Sequence, residues 1–216
     1  MKPLYSDACS GIIFNLAGEI KIGNEVLPKG VVMLPINKIA ENIELGSGSV
    51  VAGVRFNPAI GFAALGRHYT KPTLLLPEQD NIFELYQIHS KLSLLTSDSE
   101  RVDALYIWAE QNLNLIQLLP SKLEKALSFI KHGEVLGHLN EQVNISQRQI
   151  ERLFKSWLEI TPKHYQRILR IKKTICFLRQ NKNANLAEVS QQFGFSDQAH
   201  MTREFRSIAL KTPGQI

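Results

Sequence analysis

The sequence predicts an α+β chain: a small antiparallel β lobe with a helical pair, followed by an all-α domain of two helix-turn-helix units joined by a long helix. Three observations carry this prediction. One short pattern occurs twice after residue 120, and the apolar spacing changes from period 2 to period 3.6 after Pro77. Charge is also unevenly spread. Residues 1–120 hold 9 Lys+Arg against 12 Asp+Glu, a net of −3, whereas residues 121–216 hold 16 against 8, a net of +8.

Residues 1–76 form the β lobe. Gly11 to Leu16 is a largely apolar run, and Glu19 to Ile22 and Glu25 to Leu27 flank Gly23-Asn24, a two-residue hairpin signal. Val31 to Leu34, Asn42 to Leu45 and Val50 to Phe56 follow, the last two joined by the Gly/Ser turn 46–49. The spacing suits a small sheet or partial barrel. Arg55 is the one cation inside an apolar strand run. It is a candidate to hold the carboxylate of an effector; the alternative is a structural salt bridge or a backbone carbonyl. The only histidine of the lobe, His68, lies beyond its last strand, so a barrel metal site with converging ligands is not expected.

The helical pair is expected over residues 78–117. Phe83, Tyr86, Leu92 and Leu95 mark its first helix; Ser97-Asp98-Ser99-Glu100 offers capping residues, and Val102, Leu105, Trp108, Ala109 and Leu113 mark its second. Two readings stand: a dimerisation or relay element, or a cover for the β lobe. Leu118-Leu119-Pro120-Ser121 ends the run, placing a boundary between a sensor domain at 1–119 and a helical domain at 120–216.

A helix from Ser121 to Lys131, burying Leu123, Leu127 and Ile130, opens the second domain and stops at His132-Gly133. The repeat follows. Leu136, Val143, Ile145, Ser146, Arg152, Phe154, Thr161 and Pro162 are matched by Leu186, Phe193, Phe195, Ser196, Arg203, Phe205, Thr212 and Pro213. The offset is 50 up to the serine and 51 from the arginine, which assigns one extra residue to the second helix of the second copy. In that copy Gly194 supplies the turn, Ser196 the expected N-cap, and Met201, Phe205 and Ile208 the buried face. In the first, Leu136, Leu139 and Val143 form the first helix, Asn144 the turn, and Ile150, Phe154 and Trp157 the buried face. Between the copies, Pro162 to about Gln180 forms a helix with Ile168, Leu169, Ile171, Ile175 and Leu178 as apolar positions. At 1.5 Å per residue it spans roughly 28 Å, close to one DNA turn of roughly 34 Å.

A helix, a tight turn and a second helix with a polar, Arg-bearing face is the arrangement that lays its second helix in the major groove. The basic half of the chain is therefore expected to meet double-stranded DNA. Cys9 and Cys176 are far apart with no metal-ligand spacing, which suits free thiols in a reducing compartment. Apolar runs fall short of the ~18 residues of a membrane span and the N-terminus lacks a signal core, so a cytoplasmic location with no membrane contact is expected. Cys176, set among Ile175, Phe177 and Leu178, reads as buried packing, and Cys9 has no activating partner beside it. A thiol-based alkyl acceptor of the DNA-repair kind is accordingly disfavoured, and no enzyme, cofactor or metal is expected.

These residues resemble the AraC-type bacterial transcription regulators over about Leu123 to Pro213. The resemblance rests on Gly194-Phe195-Ser196-Asp197-Gln198, Arg203-Glu204-Phe205-Arg206 and Thr212-Pro213, with Ile145-Ser146, Arg152-Leu153-Phe154 and Thr161-Pro162 as the parallel set. The sequence departs from the family at Glu159 and Leu210, where glycine is common, at Asn140, where a small residue is usual, and after Pro213, where only three residues follow. The resemblance assigns base reading to Arg148, Glu151 and Arg152 in the first unit and to Gln198, Ala199, Thr202 and Arg203 in the second. The chemistry fits: Arg suits guanine, Gln adenine, and Ala or Thr a thymine methyl. Glu151 either accepts from cytosine N4 or pairs with Arg148 or Lys155. Lys155, Lys163, Arg167, Arg170, Lys172 and Arg206 are expected at phosphates or as solvated surface. Ser10 to Leu16 and Val51 to Pro58 resemble, more distantly, the truncated cupin-like lobes of some members. The partners implied are DNA first, then RNA polymerase, a small-molecule effector and a second copy of the chain; the lobe is read either as a sensor or as a protein-interaction module.

Overall fold

The computed structural model describes residues 2–81, 83–113 and 119–216. They form β1 (Lys2–Leu4), β2 (Ser10–Ala17), β3 (Ile20–Ile22), β4 (Glu25–Leu27), β5 (Gly30–Leu34), β6 (Glu41–Leu45), β7 (Val50–Phe56), α1 (Ile60–Leu65), β8 (Thr73–Leu74), α2 (Leu85–Leu94), α3 (Asp98–Leu113), α4 (Ser121–His132), α5 (Leu139–Val143), α6 (Gln147–Leu158), α7 (Pro162–Gln180), α8 (Leu186–Gln192) and α9 (Gln198–Ala209), with short 3-10 turns at 77–79, 136–138 and 213–215. Two compact units result. The first draws on residues 1–3, 9–36 and 42–118, and the second on 4–8, 37–41 and 119–216.

In the first unit the expected small antiparallel sheet or partial barrel takes the form of two four-stranded sheets, ordered β1-β6-β3-β4 and β7-β2-β5-β8. Strand β2 is the centre of the second, antiparallel to both neighbours with Ile12 opposite Met33 and Val54. Alternation along it decides the layers. Ile12, Phe14 and Leu16, with Val31 and Met33, face the helices, where they meet Leu85, Ile88, Leu92, Leu105 and Trp108. The other face sends Val32 and Leu34 against Ile20, Ile22 and Leu27. Trp108 packs edge-on to Phe14 at 6.2 Å and donates its indole N–H to the Phe83 carbonyl at 2.9 Å. Helices α2 and α3 thus cover the sheet. Their buried stripe in α2 is Leu85, Ile88 and Leu92, not the Phe83–Tyr86–Leu95 line, because the helix begins only after Glu84, at φ 50°. The Ser97–Glu100 capping box is present. Residues 82 and 114–117 of the expected pair lie outside the described residues. β1, β8 and α1 have no counterpart in the sequence reading.

The second unit is less contiguous than a cut at 119/120 implies. The Asn37 amide donates to the Leu4 and Tyr5 carbonyls, and Ser6 Oγ donates back to Asn37 O, so segments 4–8 and 37–41 brace each other. Lys38 pairs with Glu159 at 2.8 Å. Helix α4 buries Leu123, Ala126 and Ile130 and ends on Gly133 at φ 88°, a left-handed cap that favours glycine. Helix α7 buries Tyr165, Ile168, Ile171, Thr174, Ile175 and Leu178. Cys176 is exposed, contrary to the packing role expected of it: Ile175 and Leu178 take the buried stripe and leave 176 on another face. Cys9 is the buried one.

Candidate nucleic-acid interface

Helices α6 and α9 are equivalent, each of 12 residues, with their starts 51 positions apart. The extra residue of the second copy therefore lies in its turn rather than inside the helix. The caps agree. Ser146 caps α6 through a capping box, its Oγ accepting from Gln149 N and its own N–H donating to Gln149 Oε1 at 2.9 Å. Asp197 caps α9, its Oδ1 accepting the His200 amide at 2.6 Å, while the expected cap Ser196 instead hydrogen-bonds the His200 ring. That amide, with Arg203 beside it, holds the Asp197 carboxyl below its ordinary range. The turns reverse through Asn144 at φ 52° and Gly194 at φ 73°. Both helices end in left-handed residues, Glu159 at φ 55° and Leu210 at φ 54°. The site of the missing glycines is thus a real conformational demand, worth roughly 1–2 kcal/mol for a residue with a Cβ.

Each helix is two-faced. Ile150, Phe154 and Leu158 are buried in α6, and Met201, Phe205 and Ile208 in α9. The opposite face of α6 exposes Arg148, Glu151, Arg152 and Lys155; that of α9 exposes Gln198, Ala199, Arg203 and Arg206, with Thr202 half-buried. The structure brings each expected base-reading set onto one helix face. Glu151 accepts the Gln147 side-chain amide at 3.0 Å, while Lys155 reaches the Glu159 carbonyl. The Thr202 hydroxyl donates to the Gln198 carbonyl at 2.9 Å, which spends its one proton inside the helix.

The expected phosphate contacts divide. Lys163, Arg167 and Arg170 of α7 line one groove of about 620 Å³ with His200 and Glu204 of α9. Within it Arg167 Nε donates to both Glu204 oxygens at 3.0 and 2.8 Å and Nη2 to Ser207 Oγ at 3.1 Å, a fork that ties α9 to α7. Arg170 lies 5.3 Å above the Phe195 ring. Lys172, only two residues on, sits about 200° round the helix. It lines a different cavity, of about 400 Å³, with Tyr5, Ser6, Asp7, Cys176 and Arg179. The Arg167–Glu204 fork was missed because nothing in the spacing of residues 37 positions apart announces it.

Arg55 is exposed on β7, on the sheet face of Val51 and opposite the face that meets α2 and α3. One cavity of the first unit lies on the helix side: about 440 Å³, lined by Met33, Leu65, Leu75, Phe83 and Leu85, with Arg67, Tyr69, Glu78 and Asp80 at its polar edge. Arg67 stacks over the Tyr69 ring at 4.9 Å. Strand alternation thus sets Arg55 on the other face of the sheet from this cavity.

This geometry defines a helix-turn-helix protein, and residues 139–216 match the family model described as a helix-turn-helix domain. The match covers 78 of the 216 residues. The transcriptional regulator CdhR of Pseudomonas aeruginosa is 32% identical over 77 residues, and GbdR of the same species 29% identical over 92; these stretches are 36% and 43% of this chain and 23% of each relative. The chain thus matches under a quarter of those relatives' length. The fold is shared with ToxT of Vibrio cholerae O395, at a TM-score of 0.53 and 12% identity over 98% of this chain and 89% of ToxT. A second ToxT structure, bound to (E)-4-(8-methylnaphthalen-1-yl)but-3-enoic acid, gives a TM-score of 0.54 at 12% identity, over 98% and 90% of the two chains.

Proposed function

We propose that the chain is a bacterial, cytoplasmic, non-catalytic transcription regulator that reads two successive major grooves with α6 and α9. The observation that carries this is the pair of equal helices, 51 residues apart, each burying one apolar stripe and exposing an Arg-bearing one. The 19 residues of α7 supply a spacer of roughly 28 Å between the two units, near one DNA turn. Arg148, Glu151, Arg152, Gln198, Ala199, Thr202 and Arg203 are the base readers; Lys155, Lys163, Arg170 and Arg206 take phosphates. Arg167, already forked onto Glu204, positions α9, and Lys172 stands apart from the interface. RNA polymerase and a second copy of the chain are further partners within this reading.

The first unit acts as a sensor. Its cavity sets an apolar wall of Met33, Leu75 and Phe83 beside a polar edge of Arg67, Glu78 and Asp80, and Arg67 is the group there that can take the anionic end of a small amphipathic acid. The aryl-butenoic acid bound by ToxT supports that ligand class. The test is to select sites from a random duplex pool with the full chain, then titrate the winner with and without that acid. A motif spanning two major grooves whose affinity changes at least about threefold with the acid supports both parts. Purely salt-driven binding with no motif would sink the reading. A motif insensitive to the acid would remove the ligand class.

A further inference from the structure

The stripe that flanks the arginines of α6 carries a carboxylate where a polyanion must approach. Glu151 is exposed, on the same helix as Arg148, Arg152 and Lys155, yet its Oε1 is engaged by the Gln147 amide at 3.0 Å. A carboxylate only accepts hydrogen bonds, so the Gln147 nitrogen is the donor and the amide orientation is fixed. Gln147 is the first residue of the helix, adjacent to the Ser146 cap. The pair therefore stands at the end of α6 that enters a groove first. With Oε1 engaged by the amide, Oε2 of this exposed side chain keeps its lone pairs for another donor.

We infer that Gln147 and Glu151 act as one oriented acceptor that selects cytosine in the first half-site. This rests on the DNA-reading role proposed above and specifies its chemistry. In the major groove an amino donor is offered by cytosine N4 and adenine N6, but adenine places the N7 acceptor beside it. A group with only acceptors is repelled by N7 and meets no such neighbour on cytosine. Against any base without a donor, the carboxylate faces phosphates and acceptor edges with its charge uncompensated. It thereby weakens binding to unrelated sequence as well as favouring the right one. Glu151 is the reading residue; Gln147 is a positioning residue that holds its rotamer.

The same logic gives substitutions that move two readouts in opposite directions. Glu151→Ala removes the acceptor and the repulsive charge together. It lowers discrimination for cytosine about tenfold, while affinity for random duplex at low salt rises about threefold. A variant that merely loosened α6 would weaken both. Glu151→Gln keeps the shape but adds a donor, and shifts the preferred base from cytosine to adenine, which Gln can bond at N6 and N7. Gln147→Ala keeps the cytosine preference at about one third of its strength.

The experiment is site selection from a random duplex pool with the full chain and these three variants, followed by affinities on selected and random duplexes. One position changing from cytosine to adenine in Glu151→Gln, with the rest of the motif intact, is the expected result. A wild-type motif that is identical in Glu151→Gln and Glu151→Ala overturns the Gln147–Glu151 inference and leaves the DNA reader standing. No motif from wild type overturns the DNA reader, and this inference with it.

Discussion

Arg167 shows how one residue's role is set by what it already touches. By type and position it is a phosphate contact, yet its guanidinium is forked onto Glu204 and Ser207. A phosphate would have to compete with an ion pair in which one Nε–H is shared by two carboxylate oxygens, on an acceptor only 13% exposed. Arg167→Ala is therefore expected to weaken DNA binding about tenfold by releasing α9 from α7, with the salt slope unchanged; Lys163→Ala should lower that slope by about 1. The reversed pair Arg167→Glu with Glu204→Arg should recover most of the loss. A slope reduced by Arg167→Ala, or no recovery in the reversed pair, would return Arg167 to the phosphates. Thr202 makes the same point in miniature, since its hydroxyl proton is spent on the Gln198 carbonyl and the side chain keeps only its methyl and acceptor lone pairs for a base.

At the scale of elements, caps decide where each recognition helix begins. The shift from Ser146 to Asp197 as N-cap moves the register of α9 by one residue relative to the serines and puts the additional residue in the turn. Because the His200 amide bonds the ionised form, the Asp197 carboxyl is held below its unfolded value of about 3.9. A depressed carboxyl stabilises the fold fully above its unfolded value and loses that contribution as pH falls through the folded one. Asp197→Asn retains a competent cap without the titration. Its melting temperature should fall less steeply than wild type below about pH 4; parallel curves would mean the cap carries no pH-linked stability. Helix and strand positions were legible where periodicity was uninterrupted, as in β2, β7, α4 and α7. The stop of α4 at Gly133 was equally plain. β1, β8 and α1 were not, since two- and three-residue strands and a six-residue helix after Ala59, at φ 71°, leave too little pattern to register.

For the whole molecule, the exposed faces of α6 and α9 were legible because burial of Ile150/Phe154 and Met201/Phe205 leaves only one face to expose. What spacing could not give was the sorting of cations along α7, which depends on tertiary partners. Lys163, Arg167 and Arg170 share a groove with α9, while Lys172 turns to Tyr5 and Asp7. The face that Arg55 occupies was illegible for a related reason: a strand arginine in an apolar run looks inward only until the face it occupies is known. The central claim is that α7 holds two readers at a fixed separation on one face of the duplex. It is tested most directly by inserting about 5 base pairs between the two halves of the selected site, half a helical turn, and measuring affinity with the full chain. Affinity is expected to drop to that of a single half-site. An unchanged affinity would contradict it.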